Sequence, residues 1–387
     1  MLLPCMIREW VRLVVVVVGV GAVVAGQAPV AEPRFTEVFQ AGEGGYHTYR
    51  IPSVIAARNG TLLAFAEARR EGAADAGDID LVLRRSRDGG ATWSPLQVIG
   101  DNGPNTFGNP CPVLDRTTGA LWLLTTQNRG TDREKDIIAG TSQGSRTVWV
   151  LKSTDDGDTW SAPVEITAAA KQPDWTWYAT GPGIGIQTKS GRLVIPANHA
   201  ERGTGVHRSH IVYSDDGGVR WQLGASADAG TNESQIAELS DGRLLLNMRN
   251  HPPKPENVRM VAISRDGGQT LSEAAPDRAL IEPPAQASLL AIPVADGRRR
   301  LLFANPASAR RERLTVRISD DDGATWPIAR VVHEGPAAYS SLVALPDAAI
   351  GLLFERGDRS PYERITFARL TREWLAAGQG SGGTGVR

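Results

Sequence analysis

An eight-residue turn pattern, S-x-D-x-G-x-T-W, recurs five times along this chain, at residues 86–93, 153–160, 214–221, 264–271 and 319–326. Each position has a physical use. The Asp accepts hydrogen bonds from backbone N–H groups of a tight turn, and the Gly allows a positive φ. Ser and Thr tie the turn to its flanking strands, and Trp offers a large apolar plate for packing. Two copies depart from the template: Arg220 stands for Thr in the third and Leu271 for Trp in the fourth, so weaker packing is expected there.

The boxes start 67, 61, 50 and 55 residues apart, a spacing that suits one four-stranded propeller blade with its loops. An apolar or alternating run precedes each box (80–84, 147–151, 210–213, 260–263 and 314–318) and reads as a strand. A second strand type follows Gly or Arg turns at 60–65, 119–124, 191–195, 242–246, 300–303 and 351–354, which is one copy more than there are boxes. The pattern predicts an all-β, six-bladed β-propeller over 33–375, its last blade lacking a box and closed by strands from both chain ends. The 42 Gly and 24 Pro are spread as turn punctuation. Only 376–387, which is Gly-rich, reads as a disordered tail.

The formal net charge of −1 gives no basic excess for nucleic acid or an anionic membrane. At the N-terminus, Arg8 and Arg12 precede about 13 apolar residues followed by small ones. That is short for a bilayer span and is the form of a signal peptide over 1–25, cleaved near Ala25 or Ala28. A secreted or periplasmic protein is expected, with no stable membrane partner after cleavage. Cys5 would leave with that segment and Cys111 would remain alone, a small buried apolar residue, so no disulfide framework is expected. The six His show no metal-binding spacing, and neither metal nor cofactor is expected.

Four segments carry candidate reactive groups. Arg50 lies in Tyr49-Arg50-Ile51-Pro52, on chain kept extended by the proline. Glu67 and Arg69 lead to the carboxylates Asp75, Asp78 and Asp80. Glu233 and Glu238 bracket a strand that precedes Arg249. Tyr339 follows Gly335-Pro336. By themselves these residues read as solvated charges, turn formers and a half-buried aromatic. Together with the boxes, they resemble the sialidase (neuraminidase) family, the exo-α-sialidases with Asp-box repeats, over nearly the whole chain that follows the N-terminal segment.

The resemblance implies a role for each position. Asp75 would be the acid/base, Tyr339 the nucleophile and Glu233 the base to Tyr339. Arg50, Arg249 and Arg311 would clamp the substrate carboxylate, with Arg69 nearby. Arg310 and Arg313 compete with Arg311 for the third place. Asp78 and Asp80 would be structural and Glu238 solvated. Trp175, Trp177 and Tyr178 would either line the rim or pack a blade, and Asn109 and Asp136–Ile138 are weak candidates for bordering an N-acetyl group. The chemistry is coherent, because planar guanidiniums bind a carboxylate in a way Lys cannot. A neutral phenol also avoids the repulsion a carboxylate nucleophile would meet, once a neighbouring carboxylate takes its proton. The implied function is retaining hydrolysis of terminal sialic acid from glycoproteins, glycolipids and oligosaccharides by a monomer. A hydrolase of a related 2-keto acidic sugar (Kdn or Kdo) or a non-catalytic sialic-acid-binding propeller are the alternatives.

Overall fold

The computed structural model describes residues 31–251, 257–295 and 297–377. The expected signal peptide over 1–25, its cleavage site and the tail from 378 onward lie outside the described residues. The short helix Arg372–Ala376 takes in Ala376, the first residue assigned to the tail.

Every strand foreseen from the boxes and from the second series is present. The runs ahead of the boxes became Ile79–Ser86, Thr147–Ser153, His207–Ser214, Val258–Ser264 and Glu312–Ser319. The second series became Leu62–Arg69, Leu121–Asn128, Leu193–Glu201, Leu244–Asn250, Arg299–Pro306 and Ile350–Arg356. Each second-series strand pairs antiparallel on one side with a strand nearer the centre: Thr48–Ala56, Thr106–Leu114, Trp175–Thr180, Thr231–Glu238, Ser288–Pro293 or the second half of Ile328–Ala344. The 17-residue strand Ile328–Ala344 serves two groups, pairing first with Glu312–Ser319 and then with Ile350–Arg356. Arg34–Gln40 pairs with Arg364–Leu370, so strands from both ends of the described chain share one sheet. The result is all-β with curled sheets, consistent with a β-propeller.

The two faces of one strand show why the apolar runs are continuous rather than alternating. In Leu62–Arg69, Leu62, Ala64 and Ala66 pack with Val343 and Phe367 of the last sheet. Leu63 and Phe65 point the other way, against Phe107, Leu121 and Leu123 of the next sheet. Both faces are buried, so both must be apolar. At about 1.5–3 kcal/mol per fully buried large side chain, these contacts between neighbouring sheets are the main cohesion of the ring.

The boxes act at the same seams. Ser86 Oγ donates to Asp88 Oδ1 (2.8 Å) and accepts from Gly90 N, while Thr92 N and Oγ1 both donate to the Asp88 carboxylate. Those donors, chiefly the Thr92 hydroxyl, pull the Asp88 pKa down to about 2. Gly90 sits at φ +91°, and a Cβ there would collide with the Phe367 ring of the last sheet. Trp93 lies edge-on to that ring at 5.4 Å, Trp160 meets Phe65 at 5.8 Å, and Trp221 meets Trp122 at 6.4 Å. The two degraded boxes keep their backbone bond to the Asp and their packing, although the third lacks the hydroxyl donor that Thr supplies elsewhere. Arg220 N still donates to Asp216 Oδ1 at 2.8 Å, and Leu271 packs on the cluster of Ile211 and Leu246. The turn needs the backbone N–H of that residue, which any residue but proline supplies.

Candidate active site

At one end of the ring, five central strands break register at the same level. The shifts fall between Arg50 and Ser53, Gly108 and Cys111, Trp175 and Tyr178, Thr231 and Ser234, and Ala337 and Ser340. Such irregularities re-aim side chains and end pairing. Here each one turns a residue into a common cleft of about 320 Å³: Arg50, Asn109, Trp177, Glu233 and Tyr339. Ile51 (φ 59°) and Asn109 (φ 54°) take the left-handed backbone conformation at two of these sites. A proline follows each of them, and proline has no ladder N–H to lose.

The cleft gathers the residues singled out from the sequence. Tyr339 Oη donates to Glu233 Oε1 at 2.6 Å, and Glu233 Oε2 accepts from Arg249 Nη1 at 2.8 Å. The guanidiniums of Arg50 and Arg311 lie 5.1 and 5.4 Å from the centre of the Tyr339 ring. Burial pushes the Tyr339 phenol up, Glu233 pushes the same way, and the three arginines pull it down without prevailing. The resting Tyr339 is therefore a neutral phenol.

Asp75 rests on Arg69 at 2.7 Å and lies 3.9 Å from Arg50. Burial would raise its pKa, but Arg69 and Arg50 outweigh that and hold it below the usual range. Its side chain is 51% exposed, so solvent screens the pair. Arg69 itself is buried, bridging Asp75, the Glu67 carboxylate and the Ala73 carbonyl.

Of the three neighbouring arginines, Arg311 is the one at the cleft. It lines the cleft, donating to Tyr362 Oη at 2.5 Å and the Pro284 carbonyl at 2.7 Å. Arg310 and Arg313 are 80% and 57% exposed, paired with Glu312 and Glu334. Asp78 and Asp80 are structural, holding Arg70, with Asp80 also accepting from Tyr46. Glu238 corrects the expectation of a solvated end: it is 5% exposed and accepts from Arg299 and from Lys189 N. Ser240, in the turn after it, accepts from Arg299 N at 3.0 Å and so holds the strand carrying that arginine beside the carboxylate. Trp177 lines the cleft, whereas Trp175 and Tyr178 pack within the blade. Asn109 lines the cleft, but Ile137 is buried against Trp177 and Ala200, and from its short helix, Glu134–Ala139, the cleft takes Glu134 instead.

Several residues here were missed from the sequence. Glu355, fully buried, accepts from Arg50 Nε (2.8 Å), Ile51 N (2.9 Å) and Tyr339 N (3.1 Å), coupling the clamp to the tyrosine. Arg146, Asn198 and Tyr362 also line the cleft. A signal existed. The apolar second-series strands end in polar residues at this end: Glu67 and Arg69, Gln127 and Asn128, Asn198 and His199, Asn247 and Arg249, Asn305, and Glu355. An amide or charge closing an otherwise apolar strand marks the polar end of the ring.

Comparison with known proteins agrees with this picture. Residues 60–352 match the model of the BNR repeat-like domain. A sialidase of Micromonospora viridifaciens is 35% identical over 371 residues, covering 90% of this chain and 55% of the relative. A sialidase of Bacteroides fragilis is 34% identical and covers 82% and 62%. This chain thus spans a little over half the length of those two relatives. The exo-alpha-sialidase of Arthroderma benhamiae is 34% identical with 86% of both chains covered. Among solved structures, Hadza microbial sialidase Hz136 matches with TM-score 0.80 at 30% identity, over 90% of this chain and 71% of that one. Trypanosoma rangeli sialidase in complex with sialic acid matches with TM-score 0.74 over 89% of this chain and 60% of the other, and at 22% identity it speaks for the fold alone. On its sequence and its fold, this chain belongs to the sialidase family.

Proposed function

We infer that the chain is a retaining exo-α-sialidase that releases terminal sialic acid from glycoproteins, glycolipids and oligosaccharides, with Tyr339 as nucleophile. One observation carries this reading: a neutral phenol hydrogen-bonded to a carboxylate at 2.6 Å, surrounded by three guanidiniums. Nucleophilic Tyr is a known property of sialidases, an exception to the two-carboxylate rule, and is not a consequence of this geometry. The scaffold reading is a six-bladed propeller, supported by the repeated four-strand groups and by each box packing on the preceding sheet.

In this mechanism Arg50, Arg249 and Arg311 hold the substrate carboxylate and present the anomeric carbon to Tyr339 Oη. As the C–O bond to Tyr339 forms, Glu233 takes the phenolic proton, and protonated Asp75 gives its proton to the departing aglycone oxygen. Water then gives a proton to Asp75 and attacks the same carbon. The Tyr339 oxygen leaves and recovers its proton from Glu233, and two inversions give net retention. Glu355 fixes both the first clamp arginine and the backbone of the nucleophile. A secreted or periplasmic location belongs to the same reading, resting on the N-terminal apolar run, and N-terminal sequencing of exported protein tests it.

The test is hydrolysis of 4-methylumbelliferyl α-N-acetylneuraminide, with the first-formed anomer read by proton NMR. The α-anomer is expected first, and Tyr339→Phe should lose at least about 10³-fold in kcat while staying folded. A β-anomer product, or a fully active Tyr339→Phe, would overturn the assignment.

A further inference from the structure

Of the three arginines assigned to the clamp, two have a close carboxylate and one does not. Arg50 pairs with Glu355 at 2.8 Å, and Arg249 pairs with Glu233 at 2.8 Å. Among the described residues Arg311 forms no ion pair: its Nη2 donates to the Pro284 carbonyl at 2.7 Å and its Nη1 to Tyr362 Oη at 2.5 Å. Arg50 works against its charge, since both guanidiniums lie within 5.4 Å of the Tyr339 ring centre. Like charges converging away from water repel unless a group beside them offsets the repulsion. Tyr362 is that group. Its ring faces the Arg50 guanidinium at 4.2 Å, and its hydroxyl oxygen accepts from Arg311. The negative face of the ring serves one cation and an oxygen lone pair serves the other. A carboxylate in the same place would cancel the charge of Arg311, whereas a neutral phenol leaves it for an incoming anion.

The loop that presents Tyr362 is built to hold still. It joins Ile350–Arg356 to Arg364–Leu370 and is folded around the Glu363 carboxylate. One oxygen of Glu363 accepts from Asp358 N and the other from Arg359 N and Ser360 N, each at 3.0 Å. Tyr362 N donates to Ser360 Oγ at 3.3 Å. Gly357 closes the turn so tightly that a Cβ there would collide with the Ser360 carbonyl. The Gly357 N–H also donates to the Pro336 carbonyl at 3.2 Å, on the strand that carries Tyr339. On its inner side Tyr362 packs against the cluster of Ile51, Ala285, Ala338 and Tyr339.

Resting on the sialidase reading, we propose that Tyr362 is a positioning residue for the clamp, holding Arg50 by its ring and Arg311 by its hydroxyl so that both guanidiniums meet one substrate carboxylate. Glu363 acts one step further out, by fixing the loop that carries Tyr362. The substrate carboxylate keeps its charge from ground state to transition state. A clamp that is better held therefore binds both states more tightly, and its loss appears in KM with kcat little changed.

The experiment measures kcat and KM on 4-methylumbelliferyl α-N-acetylneuraminide for wild type, Tyr362→Phe, Tyr362→Leu and Glu363→Ala, with thermal unfolding as the folding control. Tyr362→Phe keeps the ring and removes the acceptor, so KM should rise about tenfold with kcat within about threefold of wild type. Tyr362→Leu removes both features and should raise KM further. Glu363→Ala leaves every side chain of the cleft in place and should raise KM in the same direction. A second readout separates the clamp from the fold: inhibition by the 2,3-didehydro analogue of N-acetylneuraminic acid and by its uncharged C1 amide. Wild type should favour the acid over the amide by about 10²-fold or more. Tyr362→Phe should shrink that ratio to about tenfold, because only the acid uses the clamp. Should Tyr362→Leu not fold, Tyr362→Phe and Glu363→Ala carry the same comparison. An unchanged KM, a loss confined to kcat, or equal weakening of acid and amide overturns the proposal and leaves the sialidase reading intact. Folded wild type that neither hydrolyses the glycoside nor binds the acid overturns the reading itself.

Discussion

Glu355→Ala tests whether the clamp and the nucleophile are one mechanical unit. The carboxylate is fully buried and accepts from Arg50 and from two backbone N–H groups, Ile51 and Tyr339. Its removal leaves a 6% exposed guanidinium with only the half-exposed Asp75, 3.9 Å away, as an ion-pair partner. Breaking a buried pair by removing one partner costs about 3–5 kcal/mol, because the remaining charge stays desolvated. The two orphaned N–H groups belong to the same loss and are not added separately. Against a typical total of about 5–15 kcal/mol, this is a large fraction. The assay is urea unfolding, comparing midpoint and slope with wild type. Glu355→Gln should recover part of the loss, since its Oε1 still accepts from Ile51 N. In the folded fraction, kcat/KM should fall at least about tenfold, through Arg50 and Tyr339 together. A Glu355→Ala variant within about 1 kcal/mol of wild type at unchanged slope would refute the coupling.

Two further perturbations follow from the packing. His199 and His207 are buried neutral, their pKa values brought down from 6.5 to about 3 and about 4, chiefly by burial. Each contributes stability that is complete above pH 6.5 and is lost progressively as pH falls toward its folded value, at up to about 1.4 kcal/mol per pH unit per site. Unfolding free energy measured from pH 7 to pH 4 should therefore drop steeply in wild type and less so in His199→Phe, and identical slopes would remove this explanation. Gly90→Ala should destabilise by about 2 kcal/mol or more in thermal or urea unfolding, since the added Cβ meets Phe367 and φ is +91°; a neutral effect would show that the first box does not seal the seam to the last sheet.

The fold was legible because each box is a local device. Its Ser, Asp, Gly and Thr satisfy one another within eight residues, so no distant contact is needed to recognise it. The strands beside it were legible because two buried faces force an uninterrupted apolar run. Tyr339, Asp75, Glu233 and the arginines were legible only through their family context, since nothing local marks Tyr339 as other than a buried aromatic. Glu355 was not seen, because what defines it is a partner far along the chain: it meets Arg50 across 305 residues. Glu238 was misread for the same reason, its partner Arg299 lying 61 residues away. Local patterning cannot report such pairs.

The last tension in the site concerns its acid. Asp75 in the free protein is held ionised by Arg69 at 2.7 Å and by Arg50, whereas a proton donor to the aglycone must carry a proton. The substrate resolves this. In the proposed mechanism its carboxylate, held by Arg50, Arg249 and Arg311, cancels part of the Arg50 field at Asp75 and adds a negative charge to the cleft. Both effects raise a carboxyl pKa. Binding of a sialic-acid-like carboxylate must then be linked to proton uptake, with affinity tightening as pH falls. Glu134, on the same cleft and raised by burial and by Asp75, is another group able to take up a proton, and His251, held down by burial and by Arg249, is a third. Titration calorimetry with N-acetylneuraminic acid, at pH 5 and pH 7 in buffers of different ionisation enthalpy, measures the uptake. Uptake is expected at pH 5, shrinking toward pH 7, and Asp75→Asn should remove most of it. Uptake that survives in Asp75→Asn would assign the proton to Glu134 or His251, which Glu134→Gln separates. Its absence in wild type at both pH values would mean that the ligand carboxylate does not reach the field of Arg50, and the clamp would have to be reassigned.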